Sequence, residues 1–545
     1  MDENGESPPW ERFSRWIHCI CVVTFDLELG QAIEVVYPGD AQLSAAEKMN
    51  ICYLAFPDSN SCCTRDTKFH FRIRRSSFQL NEVQTNYSEN VPPAAQIDSI
   101  HFFGFVHFRQ QKDASLPRGY YQKSLVIISL LPLFNLFSYI IDAIANNFFE
   151  SGEPAIEAAC HDIDHWRAPV PGELLYLPLL GRVIQCRIPC KNDLPFMQKQ
   201  KIDEVLYCEF SNLQCMLNYI QLLWELVLLG EPIIVMAANP LTCSSTVQAL
   251  VSLIWPLRYF NDYRPFFTIH DSEFREYASK KQNPPKVILG VTNPFFSKIL
   301  QHWPHVIRVG NGSHQSVSTE GIARKLRDGR IADSKPGLYT QYKTFLNSDK
   351  ALVKNILKCD KFGGMQNKIL RRHMLELTHI FMMPLERYIS TLMPLRKQIS
   401  PFKAVPQARP FIVDEFLSTL DEASTSVTCG IKGDWNGLYR KFLSSKNFEG
   451  WLRYRRKDVD RQLKAAHLEV LSNADFSPDA LKGRHQVEIV DLILKISDRL
   501  RDLKEPALEA RNRLQFQLTT ILQSVDDELK SVLLSNGSLR DCIEQ

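Results

Sequence analysis

Apolar positions in the first third of this chain either alternate or run together, and in the last third they fall at helical spacing. Residues 16–25 form an apolar run that predicts a buried strand, 29–31 a turn, and 32–37 a second strand, together a hairpin. Ser44 and Glu47 make a capping-box signature opening a helix through Met49, Ile51 and Leu54. Phe69, Phe71 and Ile73 alternate with Lys68, His70, Arg72 and Arg74, which predicts a half-exposed strand with a basic outer face. The run 101–108 is apolar on both faces and predicts a central strand. Another follows at 125–131, then a helix over 134–149.

The pattern then loosens around Pro169, Pro171, Pro178 and Pro189, and 190–205 is polar and linker-like. An apolar helix over 213–229 ends at Gly230. A short strand at 232–237, a helix over 241–255 and a strand at 287–291, after Pro284 and Pro285, follow. Short buried strands alternating with helices argue for an α/β core with a parallel sheet. Beyond residue 340 the pattern is helical: 353–393, a Pro-rich linker at 400–412, and a C-terminal pair. In that pair Ile489, Ile493, Ile496, Leu500 and Leu503 are answered by Leu514, Leu518, Ile521 and Val525 after Pro506. Two readings of the pair stand: packing on its own domain, or a dimerising coil.

Composition narrows the function classes. With 545 residues the chain has room for about three or four domains. Its 64 Lys and Arg against 61 Asp and Glu give a net charge of +3, too balanced for a nucleic-acid binder or a membrane-surface protein acting by bulk charge. The 32 Phe ask for packed cores. The 14 Cys form no dense framework, and Cys19, Cys21, Cys52, Cys208 and Cys215 sit in apolar runs, as free thiols do in a reducing compartment. Asn86, Asn311 and Asn536 begin sequons that matter only on secretion. The apolar run 17–25 lacks a small-residue cleavage site, so no signal peptide is expected. The stretch 125–145 is long enough to span a bilayer, but Pro132, Asn135 and Asp142 interrupt it.

Motifs for covalent chemistry are absent. There is no phosphate-binding loop, dinucleotide fingerprint, nucleophile elbow, zincin motif or pair of C-x-x-C units. His161 and His165 share a helix face beside Cys160 without a further ligand nearby. Cys186 and Cys190 alternate with Ile188 as core residues do. Residues 432–464 carry ten Lys and Arg against four Asp and Glu, interleaved with Trp435, Tyr439, Trp451 and Tyr454. Such a stretch is either a solvated helical face or a contact for anionic lipid or nucleic acid.

The order of segments carries a resemblance. The runs 103–109 and 122–129 precede Trp224-Glu225-Leu226 and Gly230-Glu231-Pro232. Then come Trp255-Pro256-Leu257, Tyr263-Arg264-Pro265-Phe266, 268–274 and 288–296. This series resembles the DENN domain. The finer match, at 25–31, 300–305 and Lys432-Gly433-Asp434-Trp435, resembles DENN-domain subfamily 6 over roughly residues 10–500. The connector 190–205 looks short for the subfamily and 310–335 divergent.

The resemblance implies an α/β fold in three modules: a longin-like N-terminal sheet module over 10–190, a central α/β module over 200–325 and an all-helical module over 335–475, followed by the helical hairpin over 476–545. It implies guanine nucleotide exchange on a Rab GTPase in endosomal recycling, by a cytoplasmic protein recruited to recycling endosomes. Exchange breaks no covalent bond, so no catalytic residue, metal or cofactor is expected. The expected partner is a Rab GTPase, with no nucleic acid, and with membrane reached peripherally through the GTPase and weakly through 432–464. The implied contact surface falls between the first two modules, at Asp271, Ser272, Glu273, Phe274, Asn293, Pro294 and Phe295. The structural alternative puts Phe274 and Phe295 in a core and Asn293 in a turn. Arg118, in a turn before a strand, occupies a position resembling the catalytic arginine of a DENN-fold relative that activates GTP hydrolysis. The runner-up functions are therefore GTPase activation through Arg118, or a non-catalytic Rab-binding scaffold. An ordinary solvated hairpin arginine is the plain alternative for Arg118.

Overall fold

The computed structural model describes residues 10–26, 28, 30–58, 66–115, 119–193, 210–271, 273–279, 283–310, 336–358, 363–423, 431–502 and 508–535. Arg118, Ser272, Cys208, Asn311, Asn536, the side chain of Cys215 and most of 190–205 and 310–335 lie outside the described residues. The chain is a mixed α/β protein in two compact units, one of Met1–Phe381 with Thr425–Phe448, the other of Met382–Ser424 with Glu449–Gln545.

In the first unit, β1 (Cys19–Asp26), β2 (Gly30–Tyr37), β3 (Thr67–Arg74), β4 (His101–Lys112) and β5 (Tyr120–Ser129) form an antiparallel sheet in the order β2-β1-β5-β4-β3. The first eight residues of β4 are buried, as its two apolar faces require. Gly104 on β4 is needed there, since a Cβ would lie 2.2 Å from the Phe71 ring. The helix Phe134–Ser151 covers the sheet, with Phe137 against Phe105 at 5.1 Å. The capping box opens the helix Ala45–Leu54, with Ser44 accepting from the Glu47 backbone and Glu47 from that of Ser44.

Two readings of local sequence need correction. The middle of the β3 face read as basic and exposed is buried: His70 and Arg72 are each 5% exposed, while Lys68 and Arg74 toward the strand ends keep open side chains. The cause is the helix Pro240–Ser252, which packs on β3 and brings Ser244 to the His70 backbone. The stretch read as loose holds an antiparallel hairpin, β6 (Leu174–Leu179) with β7 (Arg182–Arg187). Its prolines hid it: Pro178 sits on a strand with no second sheet to pair into.

The second sheet contains β8 (Ile233–Met236), β9 (Asp262–Arg264), β10 (Val287–Val291), β11 (His305–Arg308) and β12 (Gly337–Thr340), ordered β12-β11-β8-β10-β9. The four strands β11, β8, β10 and β9 are parallel, and β12 pairs antiparallel at one edge. The helix expected over 213–229 is a 3-10 segment, Phe210–Tyr219, continued by an α-helix, Ile220–Leu229, that stops at Gly230 in a left-handed turn. Glu225 on that helix is fully buried. It accepts from the backbones of Phe345 and Leu346 at 2.9 and 3.0 Å and from the Tyr342 hydroxyl at 3.0 Å. Burial raises its carboxyl pKa and these donors partly offset the rise.

In the second unit, the helices Gln486–Asp502 and Leu508–Gln523 bury Ile493, Ile496 and Leu500 against Leu514, Leu518 and Ile521. Leu471 and Phe476 of the same unit complete that core, so the pair packs on its own unit. The stretch 125–145 is divided between β5 and the helix Phe134–Ser151, and no helix among the described residues is long and apolar enough to cross a membrane.

Candidate functional site

The two sheets of the first unit meet edge to edge, at β3 and β9, and charge fills the seam. Arg72 on β3 donates to Asp262 at 2.6 Å and to the Tyr263 carbonyl at 3.2 Å, and its guanidinium lies 4.2 Å from the centre of the Tyr263 ring. Its other nitrogen pairs with Asp98, which also meets His101 at 2.9 Å and Arg258 at 3.7 Å. Arg264 on β9 donates to Asp262 at 3.0 Å and to the Arg72 carbonyl at 3.4 Å, and pairs with Glu273. Glu273 in turn meets Arg74 at 2.7 Å and accepts from Tyr277 at 3.1 Å.

Burial alone would favour protonated carboxyls in this seam. For Asp98 that push is overcome by His101 and Arg72, which hold it well below the usual carboxylate range. Arg264, Arg72 and His101 likewise pull Asp262 down against burial. Burial, then the Arg72 charge, lowers the His101 imidazole. The seam is thus a network of charges in which each carboxylate faces at least two cations or polar hydrogens.

Two loops rise from this base. In the first, Asp271 accepts from the Glu273 backbone at 3.0 Å, and burial pushes its carboxyl pKa up. Half-buried Phe274 meets Phe296 edge to face at 5.9 Å. In the second, Asn293 accepts from the Phe295 backbone at 3.0 Å, which makes it a turn residue. That turn turns Phe295 outward, at 47% exposure, while Phe296 is fully buried. Pro294 is exposed beside it. The fold thus brings Asp271, Glu273 and Phe274 to the same sheet end as Asn293, Pro294 and Phe295. Both loops are also tied to the N-terminal sheet region. Thr292 donates to Asp58, and Tyr53 stacks on His270 at 4.9 Å. Gly290 lets the chain cross close beneath: a Cβ there would sit 2.2 Å from the Pro265 carbonyl oxygen.

Arg72, Asp98 and Asp262 were not singled out by sequence. The signal was present in Arg72, a cation in a strand whose neighbours are apolar, but alternation reads such a residue as solvent-facing. The other sequence hints have structural partners. His161 packs against Trp10 at 5.1 Å, His165 Nδ1 lies 2.6 Å from the His161 carbonyl, and Cys186 is buried. No group of three or more metal-ligating side chains occurs among the described residues. In the basic stretch, Lys441 pairs with Glu231, Arg453 with Glu449, and Arg455 with both Glu386 and Asp458.

Three family models match the chain: the DENN (AEX-3) domain at residues 120–302, transport protein Avl9 at 17–156 and the DENND6 C-terminal domain at 478–536. Protein DENND6A of Mus musculus is 46% identical over 558 residues, covering 97% of this chain and 91% of the relative. Protein DENND6B of Homo sapiens is 45% identical over 551 residues, covering 96% and 94%. The DENND6 homolog of Dictyostelium discoideum is 30% identical over 593 residues, covering 93% and 80%. The chain belongs to the DENND6 family of DENN-domain proteins.

Proposed function

We propose that the chain is a guanine nucleotide exchange factor for a Rab-family GTPase, acting in endosomal recycling from a cytoplasmic pool recruited to recycling endosomes. In this reading the antiparallel sheet is the longin-like module, the parallel sheet the central module, and the GTPase seats on the loop pair at their seam. The observation that carries the reading is this loop pair. Ile269 and Phe295 expose apolar side chains, at 39% and 47%, from loops held on both sheets by buried charge and ring contacts. A fixed surface with an aromatic anchor and a polar rim is what partner recognition uses.

Exchange follows from linkage. A surface that binds the nucleotide-free GTPase better than the loaded form weakens nucleotide affinity by the same factor. The GTPase switch segments supply the alternative conformations. Rigidity on the factor's side makes that selection effective, since a loop free to follow either switch conformation would bind both.

The test is release of fluorescent GDP, with phosphate release measured in parallel, across a panel of purified Rab proteins. The expected result is faster GDP release from at least one Rab, with hydrolysis unchanged. Phe295→Asp should slow that release by roughly 30-fold or more, the effect of removing an interface anchor, without altering the melting temperature. Accelerated hydrolysis that vanishes in Arg118→Ala would favour GTPase activation. Binding without either effect would favour a scaffold.

A further inference from the structure

The second unit contains a groove that the exchange reading leaves unused. It has a volume of about 630 Å³ and lies between the helix segments 382–392 and 449–464, under the extended stretch 405–411. Ile389, Leu392, Leu452, Val459 and Leu463 make its apolar floor. Arg409 ties the covering stretch down: its backbone donates to the Leu392 carbonyl at 3.0 Å, and its guanidinium to the Thr391 carbonyl at 3.0 Å. Pro406 and Pro410 keep it extended and unable to join a ladder. Phe411 closes one end, held by Tyr388 at 5.0 Å.

The rim has a sign. Arg409, Arg456 and Lys464 border the groove against a single carboxylate, Asp460. Arg456 and Lys464 are exposed, and among the described residues neither has an ion-pair partner. This separates them from Arg455 on the same helix, which Glu386 and Asp458 neutralise. Two of the ten cations of 432–464, Arg456 and Lys464, thus stand at the groove mouth.

A groove of this size, with an apolar floor, a polar rim and unpaired cations at its entrance, matches a molecule with one apolar arm and an anionic head. We propose that this groove is a binding site for an anionic membrane lipid, one acyl chain lying on the floor and the headgroup meeting Arg456, Lys464 and Arg409. A membrane-bound GTPase would then not be the protein's sole link to the bilayer. The inference does not depend on exchange activity.

The test is vesicle flotation of the full chain without GTPase, on phosphatidylcholine alone and on phosphatidylcholine with phosphatidylserine. Binding to the anionic vesicles alone is expected. Arg456→Gln and Lys464→Gln should each weaken it about fivefold, and together about 25-fold, from the contribution of one cation near an anionic surface. Arg453→Gln, whose side chain is paired on the surface with Glu449, should change binding far less. Ala408→Trp, which fills the groove beneath the strap, should also abolish binding while leaving the rim charge intact. Soluble glycerophosphoserine should compete poorly. If it competes as well as vesicles do, the site takes an anion and not a lipid. If neither vesicle binds, or the groove-filling variant binds normally, the proposal fails, and an acidic peptide becomes the occupant to test.

Discussion

Arg72→Met is expected to destabilise the protein by about 3–5 kcal/mol, the range for removing one partner from a buried ion pair. Methionine keeps the unbranched apolar stem of the arginine without its guanidinium, so the loss reports the charge, its hydrogen bonds and its contact with the Tyr263 ring. Arg72 is 5% exposed and serves two carboxylates, Asp98 and Asp262, from the edge of one sheet to the edge of the other. Without it, both remain in a site whose burial opposes ionisation. His101 and Arg258 still face Asp98, and Arg264 still faces Asp262, which keeps the loss from being larger. Denaturant unfolding of the variant checks the figure. In a double-mutant cycle, Asp98→Asn should relieve part of the loss, with a coupling of about 1–3 kcal/mol. Arg372→Met is the matched surface control. Its guanidinium is 63% exposed and pairs at 2.8 Å with Glu376 one helical turn away, so solvent screens the pair and the variant should unfold at the same denaturant midpoint as the parent protein. A loss of under about 1 kcal/mol for Arg72→Met would mean that the seam behaves as an exposed pair and does not hold the sheet edges together.

The same seam explains what the sequence could and could not reveal. Strand positions in the first sheet, and β8 and β10 in the second, followed from local rules. The expected strand at 287–291 matches Val287–Val291, and both halves of the Ser44–Glu47 capping box are present. Local rules work there because period and capping depend on residues within one turn or one pleat. They fail where a second element decides the environment. Nothing near Arg72 in sequence announces that Asp262, 190 residues away, will neutralise it. The Asn293 turn was readable as a turn, but the exposure of Phe295 beside the burial of Phe296 was not. A turn sends adjacent side chains in different directions, and which one meets the core depends on Phe267 and Phe274 from another loop. The hairpin at β6 and β7 was missed because prolines outweighed alternation, although Leu175, Leu177 and Leu179 keep a buried period of two.

Rigid loops on a charged seam also fix the energetics expected of exchange. Charges buried between two sheets add little net stability compared with apolar packing, but they penalise any sliding of one edge past the other, because sliding leaves a carboxylate unpaired. Under the exchange reading proposed above, that penalty is borne before the chain meets a GTPase, so the proposed binding surface is organised in advance. The prediction for Phe295 and that for Arg72 are linked in this way. If the chain exchanges nucleotide as proposed, Arg72 variants that still fold should lose that activity in proportion to the loosening of the seam, while Phe295→Asp should lose it with the seam intact.

His70→Phe is expected to flatten the acid unfolding of the protein. His70 lies on β3, 5% exposed, with its ring against Phe134 at 5.1 Å. Burial pushes its imidazole from the ordinary 6.5 down to about 3. Its Nε2 atom has no hydrogen-bond partner, so the native state holds the ring neutral with nothing to stabilise a proton. In the unfolded chain the same ring takes up a proton near pH 6.5. A folded-state value below the unfolded one means the contribution is fully present above about pH 6.5. It is lost as pH falls toward 3, at about 1.4 kcal/mol per pH unit. By pH 5 the loss from this residue is about 2 kcal/mol, and by pH 3 about 4 kcal/mol. His101, His107 and His305 are also lowered, chiefly by burial, and act in the same direction, so acid lability will persist in the variant with a shallower slope. Phenylalanine keeps a planar ring in the Phe105 and Phe134 cluster and removes the titration. From denaturant unfolding at pH 7.5, 6 and 5, the stability of the variant relative to the parent protein should rise by about 2 kcal/mol as the medium becomes acidic, whatever offset the larger ring leaves at pH 7.5. The slope isolates titration from packing, since a packing defect shifts the curve by a constant. Parallel curves for the two proteins across this range would show that His70 is not held neutral, and the Phe105 and Phe134 rings would then not seal its imidazole from water.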